Sequence, residues 1–232
     1  LKSLAVPQPI TFHRSMKRAA FLLLLALAAL PAHAETAPQP TTVATADPFA
    51  DPLIREIEAR HELGVAGDKK AVTDLIADLE KLTQEQPKNQ LLRAYLGSAY
   101  TLLSRDLFYG PGKLRALKLG LHTLDDAVAA APDDIAVRFI RAVNNFNMPI
   151  FVNRKETARA DFEILVKAIR APAVAASLNP ETRQAIDYYA GLTYRQLHQP
   201  DEAAAAWRDG LALGAATPLG QKIAAELAKL KP

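Results

Sequence analysis

The chain has 232 residues, half of them hydrophobic, with a formal net charge of +3 and no cysteine. That length is enough for one domain with its own core. The missing cysteine excludes disulfides, thiol catalysis, thiolate metal sites and a lipid-modified N-terminal cysteine.

Residues 1–15 precede a more natural start at Met16 and read as a misplaced start without function. From Met16 the chain reads MKRAAFLLLLALAALPAHA. Lys17 and Arg18 form a positive n-region, Ala19 to Leu30 is an unbroken apolar run, and Ala32-His33-Ala34 is a small-x-small cleavage site. Twelve helical residues rise roughly 18 Å, short of the hydrocarbon core of about 30 Å. The expectation is therefore a secretory signal over 16–34, cleaved after Ala34, leaving no stable membrane span and a periplasmic or secreted protein; the intact mass of the exported form checks this. Residues 1–34 carry Lys2, Arg14, Lys17 and Arg18 and no acidic residue, so the remaining 198 residues hold 24 Lys+Arg against 25 Asp+Glu. The positive balance belongs to the leader, and no global charge argues for nucleic acid or an anionic membrane.

Residues 35–47 (ETAPQPTTVATAD) are rich in Pro, Thr and Ala with little to bury, and read as a flexible linker. From Pro48 to Pro232 the chain reads as helical, with no sustained period-2 alternation; only Phe151–Val152 and Ala171–Val174 hint at anything else. Four second helices are marked by the same intervals. Leu75, Leu79 and Leu82 are spaced four and three, and so are Gly120, Leu124 and Ala127; Ala158, Phe162 and Leu165; and Ala203, Trp207 and Gly210. Such intervals place each set on one helical face. Pro87, Pro132 and Pro172 follow the first three sets and stop the helices. The matching first helices are expected over about 51–64, 89–104, 134–147 and 180–197. A final helix over 217–230 opens with Thr217 as N-cap and Pro218 as its first residue.

In AIDYYAGLTYRQLHQPDEAAAAWRDG, Gly191 precedes Tyr194 by three residues, and Ala203, Trp207 and Gly210 follow; Leu96-Gly97 and Tyr100 repeat the first part. This pattern resembles the tetratricopeptide repeat (TPR), unevenly and over roughly 51–230. The distances Leu79 to Leu124, Leu124 to Phe162 and Phe162 to Trp207 are 45, 38 and 45 residues, longer than the 34 of the family. The stretch Ile135–Val166 is similar to segments of exported bacterial helical-repeat proteins. The resemblance implies an all-α fold, four hairpins stacked in a right-handed α-α superhelix under a C-terminal capping helix, with a groove lined by first helices. That makes Arg141, Asn144, Asn145, Tyr188 and Arg195 candidate groove residues. It implies no cofactor and no chemistry of its own.

Catalytic patterns are sparse. Asp125-Asp126 and Asp133-Asp134 are adjacent, and neighbouring helical positions do not face each other; they read as solvated or capping residues. His61, His122 and His198 lie at no metal-ligand spacing, and no serine sits in G-x-S-x-G. FYGPGK at 108–113 lacks phosphate-loop spacing. The extra segments 105–113 and 148–154 fall between the two helices of consecutive hairpins and are apolar for turns, with Leu107, Phe108 and Tyr109 in one and Ile150, Phe151 and Val152 in the other. Either they bury one another as a satellite core, or they form an exposed edge that docks a partner. The expected function is a non-enzymatic scaffold or adaptor for an unidentified protein or peptide, with Phe108, Tyr109, Ile150 and Phe151 as candidate contacts. The rival is a solute-binding or accessory subunit of a transport system, with a small ligand held between repeats.

Overall fold

The computed structural model describes residues 47–230, and the expected signal and almost all of the linker lie outside them. Among the described residues there are ten α-helices, two single turns of 3-10 helix and no strand. The helices are α1 (Pro52–Val65), α2 (Lys69–Glu85), α3 (Gln90–Asp106), α4 (Pro111–Ala130), α5 (Ile135–Phe146), α6 (Lys155–Ala168), α7 (Pro172–Ser177), α8 (Pro180–Gln196), α9 (Pro200–Leu213) and α10 (Pro218–Lys229). The two segments that hinted at non-helical structure are a 3-10 turn at Ile150–Val152 and the short helix α7, which Pro172 opens.

Local chemistry sets the helix starts. Asp51, Asp68, Asn89, Asp134 and Thr217 each accept a backbone N–H of the first turn that would otherwise lack a partner. Proline, whose missing N–H costs nothing at that position, opens α1, α4, α7, α8, α9 and α10. Asp134 is thus a cap as expected. Asp125 is not simply solvated: its carboxylate meets Arg141 and Arg154.

The helices pair as hairpins α1/α2, α3/α4, α5/α6 and α8/α9, in a repeat-like stack. Each first helix packs on the next (α1 on α3, α3 on α5, α5 on α8), and each second helix packs on the following first helix (α2 on α3, α4 on α5, α6 on α8). Helix α10 closes the series against α8 and α9. The periodic positions of the four second helices lie in this packing: Leu79, Leu124, Phe162 and Trp207 are all fully buried. Two apolar clusters result, one around α1–α4 and the start of α5, the other from α5 to α10.

Glycine permits the closest approaches. A Cβ on Gly97 would meet Gly120 O and Leu124 at 2.9 Å, and one on Gly191 would meet Trp207 Nε1 at 2.2 Å. Gly97 with Leu124 in the second hairpin and Gly191 with Trp207 in the fourth are the same contact in the same register.

Asp47 is buried, and its carboxylate accepts Phe49 N–H and, far along the chain, Asn179 N–H and the Thr182 hydroxyl at the start of α8.

Candidate functional site

The C-terminal ends of α1, α3, α5 and α8 gather on one edge of the stack, tied by side chains. Arg105 at the end of α3 donates to Gly64 O at 2.7 Å and Val65 O at 3.1 Å at the end of α1. Asn144 near the end of α5 donates to Ser98 Oγ and Thr101 Oγ1 of α3. Lys155 bridges Phe146 O of α5 and Gln196 Oε1 of α8. Lys113 folds back onto the carbonyls of Ser104, Arg105 and Leu107. These cations meet carbonyls that lack helical partners and sit at the negative ends of helix dipoles, so the edge is held by charge rather than by apolar packing.

The apolar side chains of this edge therefore remain outside. Phe108 is 93% exposed and Tyr109 90%, at the α3–α4 turn; Ile150 and Phe151 are 83% exposed at the α5–α6 turn. Leu63 and Val65, at the end of α1, are more than half exposed. The satellite core that the sequence left open as an alternative does not form: neither tip buries its aromatic side chain. The α8–α9 turn at the same edge is Leu197-His198-Gln199, with His198 exposed in the left-handed region at φ 59°.

The groove candidates are not displayed together. Arg141 makes a two-pronged pair with Asp161, Nε to Oδ2 at 2.8 Å and Nη2 to Oδ1 at 2.6 Å, while Arg138 donates to the same Oδ1 at 2.8 Å. Arg154 links Asp125 to Asn145 Oδ1, completing a largely buried network between α4, α5 and α6. Asn145 is fully buried and Asn144 nearly so. Arg195 pairs with Glu226 of α10 and lies 5.5 Å from the centre of the Trp207 ring. Of the five, Tyr188 alone reaches the face of the first helices, half-buried with its ring 5.3 Å from that of Tyr189.

That face carries further aromatic residues. Phe49, Phe139, Phe146 and Tyr189 are all half-buried and linked edge to face: Phe49 with Phe139 at 6.2 Å, Phe139 with Tyr189 at 6.2 Å, Phe146 with Tyr189 at 5.9 Å. On α1, Glu58, His61 and Glu62 share one side. His61 Nε2 lies 2.8 Å from Ser98 Oγ and its ring meets Tyr95 edge-on. Burial first, then Arg105, lowers the imidazole pKa to about 4, so His61 is neutral. The visible signal was the like-charged Glu58–Glu62 pair at i, i+4, a spacing that ordinarily opposes helix formation.

Other strongly perturbed groups are dispersed. Asp187 is buried under α9, and burial raises its carboxyl to about 6 even though Arg170 donates to both oxygens. Two shallow cavities lie among the described residues, one between α1 and α2 beside Leu53, Ile57 and Leu79, the other beside Arg195, His198 and Pro200. No cluster of three or more His, Asp or Glu among the described residues could hold a metal ion, and no described helix is long and apolar enough to cross a membrane. No family model, curated protein or solved structure matches the chain.

Proposed function

We propose that this chain is an exported, non-enzymatic scaffold of the cell envelope, built as a divergent TPR-like right-handed superhelix, that docks a protein or peptide partner along the edge carrying Phe108, Tyr109, Ile150 and Phe151. The observation that carries this reading is the near-complete exposure of four large apolar side chains on two turns of one edge. A folded chain gains by burying such groups at about 25 cal/mol per Å², and a cluster left in water at a rigidly tied edge is the signature of an interaction surface. Support for a non-catalytic role comes from two perturbed groups that are partnered inside the packing, His61 by Ser98 and Asp187 by Arg170.

A photo-crosslinking residue placed at Phe108 or Phe151 in the exported protein tests the reading. The expected result is one discrete adduct from both positions and none from Leu119, which is half-exposed on the second-helix side. No discrete adduct at either edge position, or the same adducts from Leu119, would contradict it.

A further inference from the structure

The start of α8 is capped from the far end of the chain. Asn179, its N-cap residue, makes no side-chain bond to the first turn, whereas α2, α3, α5 and α10 are capped by their own Asp68, Asn89, Asp134 and Thr217. The Asn179 N–H and the Thr182 hydroxyl donate instead to Oδ2 of Asp47, each at 2.9 Å, from 132 and 135 residues further along the chain. Oδ1 accepts the Phe49 N–H at 3.0 Å, so both oxygens are engaged and Asp47 is only 6% exposed. A carboxylate out of water gains from such donors and from the positive end of a helix dipole.

A second anchor lies two residues on. The Phe49 ring stands edge-on to Phe139 of α5 at 6.2 Å, at the end of the aromatic series that runs through Tyr189 to Phe146. Between and around these anchors the strap is slight. Pro48–Ala50 is one turn of 3-10 helix with no buried residue, and Asp51 after it is exposed and already caps α1. Arg55 Nε adds a long bond to Phe49 O, at 3.4 Å. The sequence before the strap, ETAPQPTTVATA, offers little apolar surface. One carboxylate and one ring therefore hold a short piece of chain on the face of the first helices, from the start of α1 to α5 and the start of α8.

We propose that this strap is a self-ligand: the face binds a short Asp-x-Phe segment of a partner protein, its carboxylate on Asn179 N–H and Thr182 and its ring on Phe139, and Asp47-Pro48-Phe49 holds that place until the partner displaces it. The donors dictate the chemistry. An N–H and a hydroxyl at a helix N-terminus receive an anion, and a basic side chain there would find no acceptor. A ring met edge-on selects an aromatic residue at the second position after the acid. Tethering gives the strap a high effective concentration, so it masks the site against a weak ligand and yields to one that gains contacts elsewhere as well. The inference rests on the scaffold reading only in taking the ligand to be a protein segment; the crosslinks at the turn edge do not involve Asp47, Phe49 or Thr182, so the two fail separately.

The test is fluorescence anisotropy of a labelled peptide, ADPFADP (residues 46–52), on the intact chain and on its D47A/F49A variant, with a circular-dichroism melt of each. The variant is expected to fold and to bind the peptide at least about tenfold more tightly than wild type, because its own strap no longer competes. A D47N/F49A form of the peptide is expected not to bind. Adding Thr182→Val to the D47A/F49A chain is expected to weaken binding about tenfold, the equivalent of one lost hydrogen bond to a charged group. Equal affinity of wild type and D47A/F49A, binding by neither, or a D47A/F49A chain that no longer folds would make the strap a fixed part of the fold and overturn the proposal. A wild-type dimer that D47A/F49A dissolves would overturn it too, since the occupant would then be the strap of a second copy.

Discussion

Gly191 and Trp207 share one space: the indole fills the volume a Cβ on Gly191 would enter, its Nε1 donating to Tyr188 O at 3.1 Å. The Trp207 side chain is fully buried, so it cannot move aside without opening the α8–α9 hairpin. Gly191→Ala is therefore expected to destabilise by about 1–3 kcal/mol, the usual range for overpacking, although alanine is the better helix former by about 1 kcal/mol. Combining it with Trp207→Leu, which removes the indole atoms that the new methyl would meet, should give a loss smaller than the sum of the single changes. Urea unfolding of the four proteins measures the coupling.

Trp207→Ala empties the same site. Its cost is expected at about 3–5 kcal/mol, a large share of a total that is typically 5–15 kcal/mol. A circular-dichroism melt close to that of wild type would contradict the hairpin register.

The buried Arg138–Asp161–Arg141 network sets a third expectation. Asp161 is 1% exposed and is the partner of both guanidiniums. Asp161→Ala strands two partly desolvated cations, and a loss of about 3–5 kcal/mol is expected. The exposed Lys70–Asp74 pair is the contrast: Asp74→Ala should cost under about 1 kcal/mol. Denaturant midpoints of the two variants distinguish the cases.

The helices and their pairing were legible because they rest on local signals. Asp134 and Thr217 as caps, the prolines after α2 and α4, and the spacing of Leu124 and Trp207 all act within a few residues of one another. The polar residues were not legible. Asn144, Asn145 and Arg141 look like displayed groove residues in sequence, but their partners lie on other helices, Ser98 on α3, Arg154 at the start of α6 and Asp161 within it. Which side of a first helix a polar residue faces depends on the rotation between hairpins, and inserts such as Leu107–Gly110 and Met148–Arg154 alter the repeat length without announcing that rotation. The exposed apolar turns were recognised as unusual for loops, yet only the arrangement of Arg105, Lys113 and Lys155 explains how the edge is held without burying them.

The neutral His61 gives a pH dependence. Its folded pKa is about 4 against an ordinary 6.5, so the unfolded chain binds the extra proton between these values. The contribution is fully present above pH 6.5 and is lost as pH falls through 4, to a total of about 3 kcal/mol. Asp187, raised to about 6 by burial, has the opposite sign in the same window and favours the fold at low pH. The difference between wild type and His61→Gln isolates the histidine: their stability gap should narrow from pH 7 to pH 4 by folding free energies from urea titrations. A gap independent of pH would mean that folding leaves the His61 pKa unchanged.

The exposed edge is examined most directly by Phe108→Ser/Phe151→Ser, with the melting temperature and capture of a partner from an envelope extract measured on the same preparation. Both residues are more than four-fifths exposed, so stability should stay within about 0.5 kcal/mol of wild type, while the co-purifying partner is lost. A sharply lower melting temperature with the partner still captured by the folded fraction would contradict the docking edge.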